Sequence, residues 1–466
     1  MKKIEYILGV LLLGLNFVGF SMEKPNVVFF LVDDFSWGAL SSHGSNFHET
    51  PNIDKLARSG MTFTNGYAAC TVCSPSRAAI LTGCYPARTH LTDWIAGHRK
   101  PFEKLKVPDW NMKIDHERVV LPEALKEQGY STSFIGKWHL LPHRDKDLMK
   151  DHFPESHGFD QNIGGREWGQ PKGRGKYMHP FDMPNVTSKE GDYLTDRLTD
   201  YAVEFIDQQE NNPFFLYFSY YTVHGPLMAK PELIAKYKAK SKTGKFKHTN
   251  PVYAAMVQSL DESVGRVLDK LEDVGKANNT IVLFTGDNGA VGNNYCAGLR
   301  GAKGYSFEGG VREPFFIRGP GIPVDSFSEV PVIAMDFYPT ILDLIGVPLK
   351  PDQHKDGLSL KPLLHQTGGI EHRSLFWHYP HYHKTMPYGA IRQGNYKLIE
   401  FFENGALELY DLEKDPSEKN NLTKKMPEKS DELLGNLEKW RLTVGAQKMS
   451  ENPNYDPSKA GKGLKW

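Results

Sequence analysis

The chain predicts an α/β fold: a large mixed, mostly parallel sheet sandwiched by helices. Two observations carry that prediction. Four apolar runs rich in β-branched and aromatic residues recur along the sequence: NVVFFLV (26–32), YSTSFIG (130–136), PFFLYFSYY (213–221) and TIVLFTG (280–286). Unbroken runs of this kind suit strands buried on both faces, as in parallel sheets. The pieces between them, VVLPEALKEQG, YLTDRLTDYAVEFIDQQ and YAAMVQSLDESVGRVLDKLEDVG, repeat their apolar residues at helical spacing. Strands that alternate with helices bury both sheet faces and give three layers.

The texture changes after about residue 350. SLFWHYP, GAIRQGNYKLIEFF and ALELYDL alternate like antiparallel strands joined by turns, and PEKSDELLGNLEKWRLTVG reads as one amphipathic helix. We therefore expect a larger unit over residues 23–350 and a smaller α+β subdomain over 351–466. The final ENPNYDPSKAGKGLKW reads as a loose polar tail.

Lys2 and Lys3 precede an apolar stretch from Ile7 to Phe20 that ends near small residues. That pattern predicts a signal peptide over residues 1–22 and an exported, periplasmic or secreted protein; the competing readings are a membrane anchor or a first strand. No other stretch is apolar enough to cross a bilayer, so stable membrane insertion is not expected. The 466 residues carry a net charge of zero, which gives no sign of a nucleic-acid partner. A local pocket of Lys, Arg and His for an anion can still hide within a neutral total. Cys70, Cys73, Cys84 and Cys296 are too few for a disulfide scaffold. A helix between Cys73 and Cys84 would hold their sulfurs too far apart to pair.

The residues that follow each strand are more informative. The first strand runs into Asp33 and Asp34, the second into Lys137 and His139, the third into His224, the fourth into Asp287 and Asn288. Ligands of open α/β sheets bind outside the carboxyl ends of the strands, so these groups share one edge. Three carboxylates and an amide form an oxygen cluster suited to Ca²⁺ or Mg²⁺ rather than zinc. A lone Asp at a strand end is usually a cap or turn residue; the pairing of DD with GDNG favours a metal. Lys303 lies in the glycine-rich LRGAKGYSFEGGVREPF, where backbone can approach closely. Cations beside such a cluster point to phosphate or sulfate as the group to be neutralised.

CSPSR (73–77) followed by AAILTG resembles the signature of the type I, formylglycine-dependent (S1-type) sulfatases of the alkaline phosphatase superfamily. DD, GKWH, the histidine of TVHGP, GDNG, GAKGYSFEGGVREP and LYDLEKDPSEKNNL extend the resemblance from Asn26 to about Leu422. The resemblance implies an exported bacterial carbohydrate sulfatase. It implies that a maturation enzyme, a transient partner, oxidises Cys73 to formylglycine, with Ser76 at a position that enzyme reads. The aldehyde hydrate then attacks sulfur beside one calcium ion, and its second hydroxyl releases sulfate. By position, Asp33, Asp34, Asp287 and Asn288 correspond to the calcium ligands, with residue 73 facing the ion. Arg77 corresponds to the arginine that orients the hydrate, and Lys137 and Lys303 to the lysines that hold sulfate. His139 would assist the hydrate, and His224 would protonate the leaving alcohol or bind sulfate. A helix starting at Cys73 would also aim its positive end at the anion. Cys84 departs from the family pattern, which leaves its role and any bridge to Cys70 or Cys296 open.

For the substrate, GFDQNIGGREWGQPKGRGKYMH (158–179) carries the Trp, Arg, Lys, Tyr and His of a sugar-binding surface, and an ordinary surface loop fits it equally well. Arg174, Tyr177, His179 and Arg300 are the candidate contacts. GDYLTDRLTDYAVEFID and GREWGQPKG resemble bacterial sulfatases active on galactose or N-acetylgalactosamine 4-sulfates. The expected partner is thus a sulfated oligo- or polysaccharide. The rivals are a phosphoester or phosphonate ester hydrolase of the same superfamily, and a glycan-binding protein with a dead site.

Overall fold

The computed structural model describes residues 23–143, 145–210, 212–240, 249–292 and 296–462. The expected signal peptide lies outside them. The main sheet has eight strands, in the order Ser326–Ser328, Met61–Phe63, Phe315–Arg318, Thr280–Gly286, Asn26–Val32, Phe214–Ser219, Ser131–Gly136, Gln161–Ile163. Asn26–Val32 lies parallel to both neighbours, and Phe315–Arg318 runs antiparallel beside Thr280–Gly286. The four predicted strands are therefore adjacent, the fourth to the seventh in that order.

All seven residues of Asn26–Val32 are buried, as an unbroken apolar run requires. The period-two alternation divides them between two layers. Val27, Phe29 and Leu31 join a core with the helices Cys73–Thr82, Leu121–Lys126 and Phe337–Leu344. Val28, Phe30 and Val32 face the helices Leu194–Asp207 and Pro251–Asp273 on the other side. That is the three-layer sandwich. Its parallel strands all end on the same edge, where their polar successors must lie.

Four antiparallel strands follow the main unit, Leu375–Tyr379, Tyr388–Gln393, Tyr396–Phe401 and Ala406–Asp411, with the helix Pro427–Val444 packed on them. Their apolar residues, including Trp377, Ile391, Leu398 and Leu437, belong to the same continuous core as Phe29 and Ile80. No helix among the described residues is long and apolar enough to cross a membrane.

The polar C-terminal segment is held in place as far as Gly461. Ser450–Glu451 pairs antiparallel with Leu105–Lys106. The Asn452 amide donates to the carbonyls of Pro101 and Glu103 at 2.9 and 2.7 Å, and the Gly461 N–H donates to Glu103. Composition misleads here because the tail is held by main-chain and amide hydrogen bonds rather than by apolar burial. Truncation before Ser450 should open segment 100–109 to limited proteolysis while leaving the core resistant. Unchanged cleavage of that segment would show the tail to be dispensable for its order.

Candidate active site

The helix Cys73–Thr82 starts at the carboxyl edge of the sheet. Pro75 sits in its first turn, where its missing N–H costs nothing, and Gly83 ends it with φ of 63°. Val72 offers no side-chain cap, so the first backbone N–H groups remain for a ligand. Cys73 lies at this positive end, fully buried from bulk water yet facing a cavity of about 430 Å³. Its sulfur is 3.2 Å from Lys303 Nζ and 3.6 Å from Asp33 Oδ1. Burial pushes the thiol up to about 12, outweighing Lys137 and Lys303. As encoded, Cys73 is a neutral thiol and a weak nucleophile.

Asp33, Asp34, Asp287 and Cys73 bring ligand atoms within 4.8 Å of one another, all buried. Lys137 Nζ donates to both oxygens of Asp33, at 2.8 and 2.7 Å. Lys303 pairs with Asp34 at 2.6 Å and Arg77 with Asp287 at 2.8 Å. Asp34 and Asp287 are held below the ordinary carboxylate range: burial would raise both, but Lys303 overrides it for Asp34 and Arg77 for Asp287. Asp33 goes the other way. Burial, reinforced by Asp287 and Asp34, carries it to about 8 against the pull of Lys137. Two buried oxygens, Asp34 Oδ2 and Asn288 Oδ1, have no hydrogen-bond donor among the described residues. Orphaned hard oxygens inside a carboxylate cluster fit a hard divalent cation such as calcium. Asp34 also adopts a left-handed φ of 53°, a conformation that an L-residue enters at a cost of about 1–3 kcal/mol.

His139 and His224 line the cavity with Cys73 and Lys303. His139 Nε2 is hydrogen-bonded to the Ile95 carbonyl, so it carries the proton, and Nδ1 is left as a lone pair without a partner among the described residues. Burial keeps this imidazole well below its usual range. Its backbone is left-handed too, with φ of 58°. Gly169 leaves room for the ring: a Cβ there would stand 2.5 Å from His139 Cε1. His224 Nδ1 donates to Gly225 O at 2.7 Å, which leaves Nε2, 3.4 Å from Asp34 Oδ2, for the cavity.

Two of the predicted groups stand behind the cavity rather than in it. Arg77 is buried, donates to the Lys137 carbonyl and Ser219, and braces Asp287. Lys137 is fully buried on Asp33. The structure places the four candidate sugar contacts outside the lining of the cavity. Tyr177 is buried and donates to the Tyr221 and His224 carbonyls at 2.5 and 2.9 Å, so it fixes the loop carrying His224. His179 pairs with Ser188, and Arg174 is exposed; neither lines the cavity. Arg300 binds Glu408, Tyr410 and the Glu418 carbonyl, tying the Lys303 loop to the C-terminal sheet. The segment chosen for sugar contact does reach the cavity, through Glu167, Trp168, Gln170 and Lys172 instead. Arg166 stacks on Trp168 at 3.3 Å and sets the indole's orientation.

Sequence reasoning missed Trp94, His98 and His383, which line the same cavity. The His98 and His383 rings lie 4.3 Å apart. Buried Asp93 holds His98 through its backbone N–H and accepts from Tyr379 at 2.6 Å. Their signal is the density of aromatic and imidazole groups in TDWIAGH and HYPHYHK. All four cysteines are free and buried; Cys84 donates to the Gln353 carbonyl and Cys296 to that of Gly309.

Two outcomes follow from this charge balance. Arg77→Met, which strips the cation from Asp287 and Asp33, should cost about 3–5 kcal/mol in urea unfolding. A loss under about 1 kcal/mol would mean that another group balances them. In chelator, Asp33 binds a proton in the folded chain between its ordinary 3.8 and about 8, and the unfolded chain does not. Stability from this group is fully present below that window and falls as pH rises through it. Asp34 and Asp287, held low, lose their contribution only as pH falls below the ordinary carboxylate range. A saturating divalent cation should flatten the fall between about pH 4 and pH 8. An unfolding midpoint in chelator that is flat over this range would contradict the assignment.

Residues 25–347 match the family described as Sulfatase, and residues 302–443 match the region described as N-sulphoglucosamine sulphohydrolase, C-terminal. A protein named Sulfatase from Formosa agariphila is 32% identical over 87% of this chain and 85% of its own. The N-acetylgalactosamine-6-sulfatase of Sus scrofa is 34% identical over 78% of this chain and 70% of its own. Among solved structures, Ps i-CgsB aligns with a TM-score of 0.76 at 28% identity, covering 93% of this chain and 95% of its own. A structure of Ps i-CgsB in complex with k-i-k-neocarrahexaose aligns at the same TM-score with 27% identity. The cysteine at the helix start, the oxygen cluster and the cavity thus sit on a matched family and a shared fold: the chain belongs to the sulfatase family and is a sulfatase.

Proposed function

We propose that this sulfatase removes sulfate from a galactose or N-acetylgalactosamine unit of a sulfated oligo- or polysaccharide after export, with residue 73 as nucleophile in its formylglycine form. One observation carries the reading. Cys73 stands at an uncapped helix start, 3.2 Å from Lys303 and beside an oxygen cluster with two orphaned atoms, yet burial leaves its thiol inert. A position so well equipped for an anion, holding so poor a nucleophile, suits a residue converted before use. The carbohydrate substrate is supported by a relative named for N-acetylgalactosamine 6-sulfate and by the Ps i-CgsB complex. Trp94 and Trp168 on the cavity wall supply the faces on which a sugar ring stacks.

Asp33, Asp34, Asp287 and Asn288 would hold calcium, whose charge would draw sulfate oxygens and favour an ionised hydroxyl on residue 73. Formylglycine would supply that hydroxyl as an aldehyde hydrate. The chain's own groups do the remaining work. Lys303 holds a sulfate oxygen as charge builds, Arg77 keeps Asp287 charged, and Lys137 holds Asp33 in place. His139 takes a proton at Nδ1, the nitrogen left free by its bond to Ile95. His224 delivers one to the leaving alcohol through Nε2. Burial holds this imidazole down to about 3 even with Asp34 at 3.4 Å favouring the protonated form, so the charge of a bound sulfate must raise it before it donates.

The converted protein should release sulfate from a panel of defined galactose and N-acetylgalactosamine sulfates, with the preferred position read from the panel. Cys73→Ala should lower release by roughly 10³-fold or more while leaving the fold intact. Release from phosphate esters alone, or activity retained in Cys73→Ala, would overturn the reading. Residues 73–77 are buried in the folded chain, so conversion must precede folding. Folded, unconverted protein should therefore resist the maturation enzyme, and mass spectrometry showing its conversion would contradict that order.

A further inference from the structure

A second cavity, of about 430 Å³, lies beside the active cavity. His98 belongs to the lining of both, so the two meet at this imidazole. The Trp94 indole can only donate, and it donates to His98 Nδ1 at 3.0 Å. The neutral ring therefore carries its proton on Nε2, and an N–H donor stands at the junction. Asn452 forms part of the far wall. The bonds that hold the C-terminal segment, from Ser450–Glu451 to Leu105–Lys106 and from Asn452 to the Pro101 and Glu103 carbonyls, thus also build this cavity.

The lining is basic. Arg99, Lys100 and Lys106 stand against Asp109 alone. Lys100 is partly balanced by buried Glu103 at 3.7 Å, which also accepts from the Gly461 N–H. Lys106 is exposed, and its ammonium has no hydrogen bond or ion pair among the described residues. A lone surface lysine is ordinarily just solvated. Cations gathered round one recess repel each other where salt does not screen them, and an anion among them relieves that repulsion.

We infer that this second cavity is a subsite for the sugar next to the one being desulfated, and that it takes an anionic substituent on that neighbour, a sulfate or a carboxylate. The inference rests on the carbohydrate reading above. A chain lying across His98 would set its reacting unit against Cys73 and Lys303 and its neighbour against Arg99 and Lys106. Contacts so far from the reacting sulfur are the same before and during sulfate release, so they lower KM and leave kcat alone.

Three disaccharides test this. They share the sulfated unit that the panel selects and differ in the neighbour: neutral, sulfated at a position the panel shows to be uncleaved, or a uronic acid. The converted full-length chain should have a kcat/KM about tenfold or more higher on at least one charged disaccharide than on the neutral one, with the gain in KM. Which charged neighbour is preferred names the anion. Raising NaCl from about 50 to about 500 mM should shrink the ratio. Lys106→Gln should lower it about threefold, and Asp109→Asn, which removes the acid of the lining, should raise it. A damaged fold slows all three substrates alike and does not raise the ratio. Equal kcat/KM on all three at low salt would overturn the subsite, as would a ratio that neither substitution moves. If the panel shows no release from any sugar, the carbohydrate reading itself fails, and the subsite with it.

Discussion

Three buried carboxylates within one small volume are the constraint on which the rest of this molecule depends. At 4 Å and an effective dielectric of 20, each unit-charge repulsion among Asp33, Asp34 and Asp287 costs about 4 kcal/mol, before any desolvation. The chain answers with Lys137, Lys303 and Arg77, drawn from a strand exit, a glycine-rich loop and a helix. Each cation is placed on a different carboxylate, and Asp33 still stays near neutrality. Buried ion pairs of this kind rarely add stability. Their retention is explained by the chemistry of the cavity they surround.

The fold makes that concentration of charge affordable. Parallel strands end together, so residues far apart in sequence, such as Asp34 and Asp287, meet through Asp34 N–H donating to Asp287 at 3.1 Å. The two helical layers supply the apolar burial that offsets the polar edge. The C-terminal sheet contributes in a second way. Lys397, buried between Glu308 and Glu418, and Arg300, bound to Glu408 and Tyr410, anchor both flanks of the loop that carries Lys303. His383 from the same region closes the cavity against His98.

Much of this is legible in the sequence. Continuous apolar runs announced the central strands, because burial on both faces leaves no room for polar alternation. The residues just past each run announced the site, because connectivity alone places them on one edge. Side-chain direction was not legible. Tyr177 and Arg300 look like sugar contacts by type, yet Tyr177 turns inward to the His224 loop and Arg300 turns to the C-terminal sheet. Trp168 and Lys172 in the same loop turn to the cavity. The tail misled for a related reason: hydrogen bonds to 101–106 hold it, and hydropathy does not register them.

The sequence by itself determined the fold class, the strand-end cluster and the identity of the cysteine segment, since each depends on residue type and spacing along the chain. Only the tertiary structure decided which groups enter the cavity and which stand behind it. It placed Lys303 against Cys73 and Lys137 against Asp33, although both are lysines beside the same cluster. It brought His98 to His383 and His116 to His157 across long stretches of chain. Contacts of this kind follow from packing of whole elements in three dimensions, and a one-dimensional pattern carries no measure of which loops will meet.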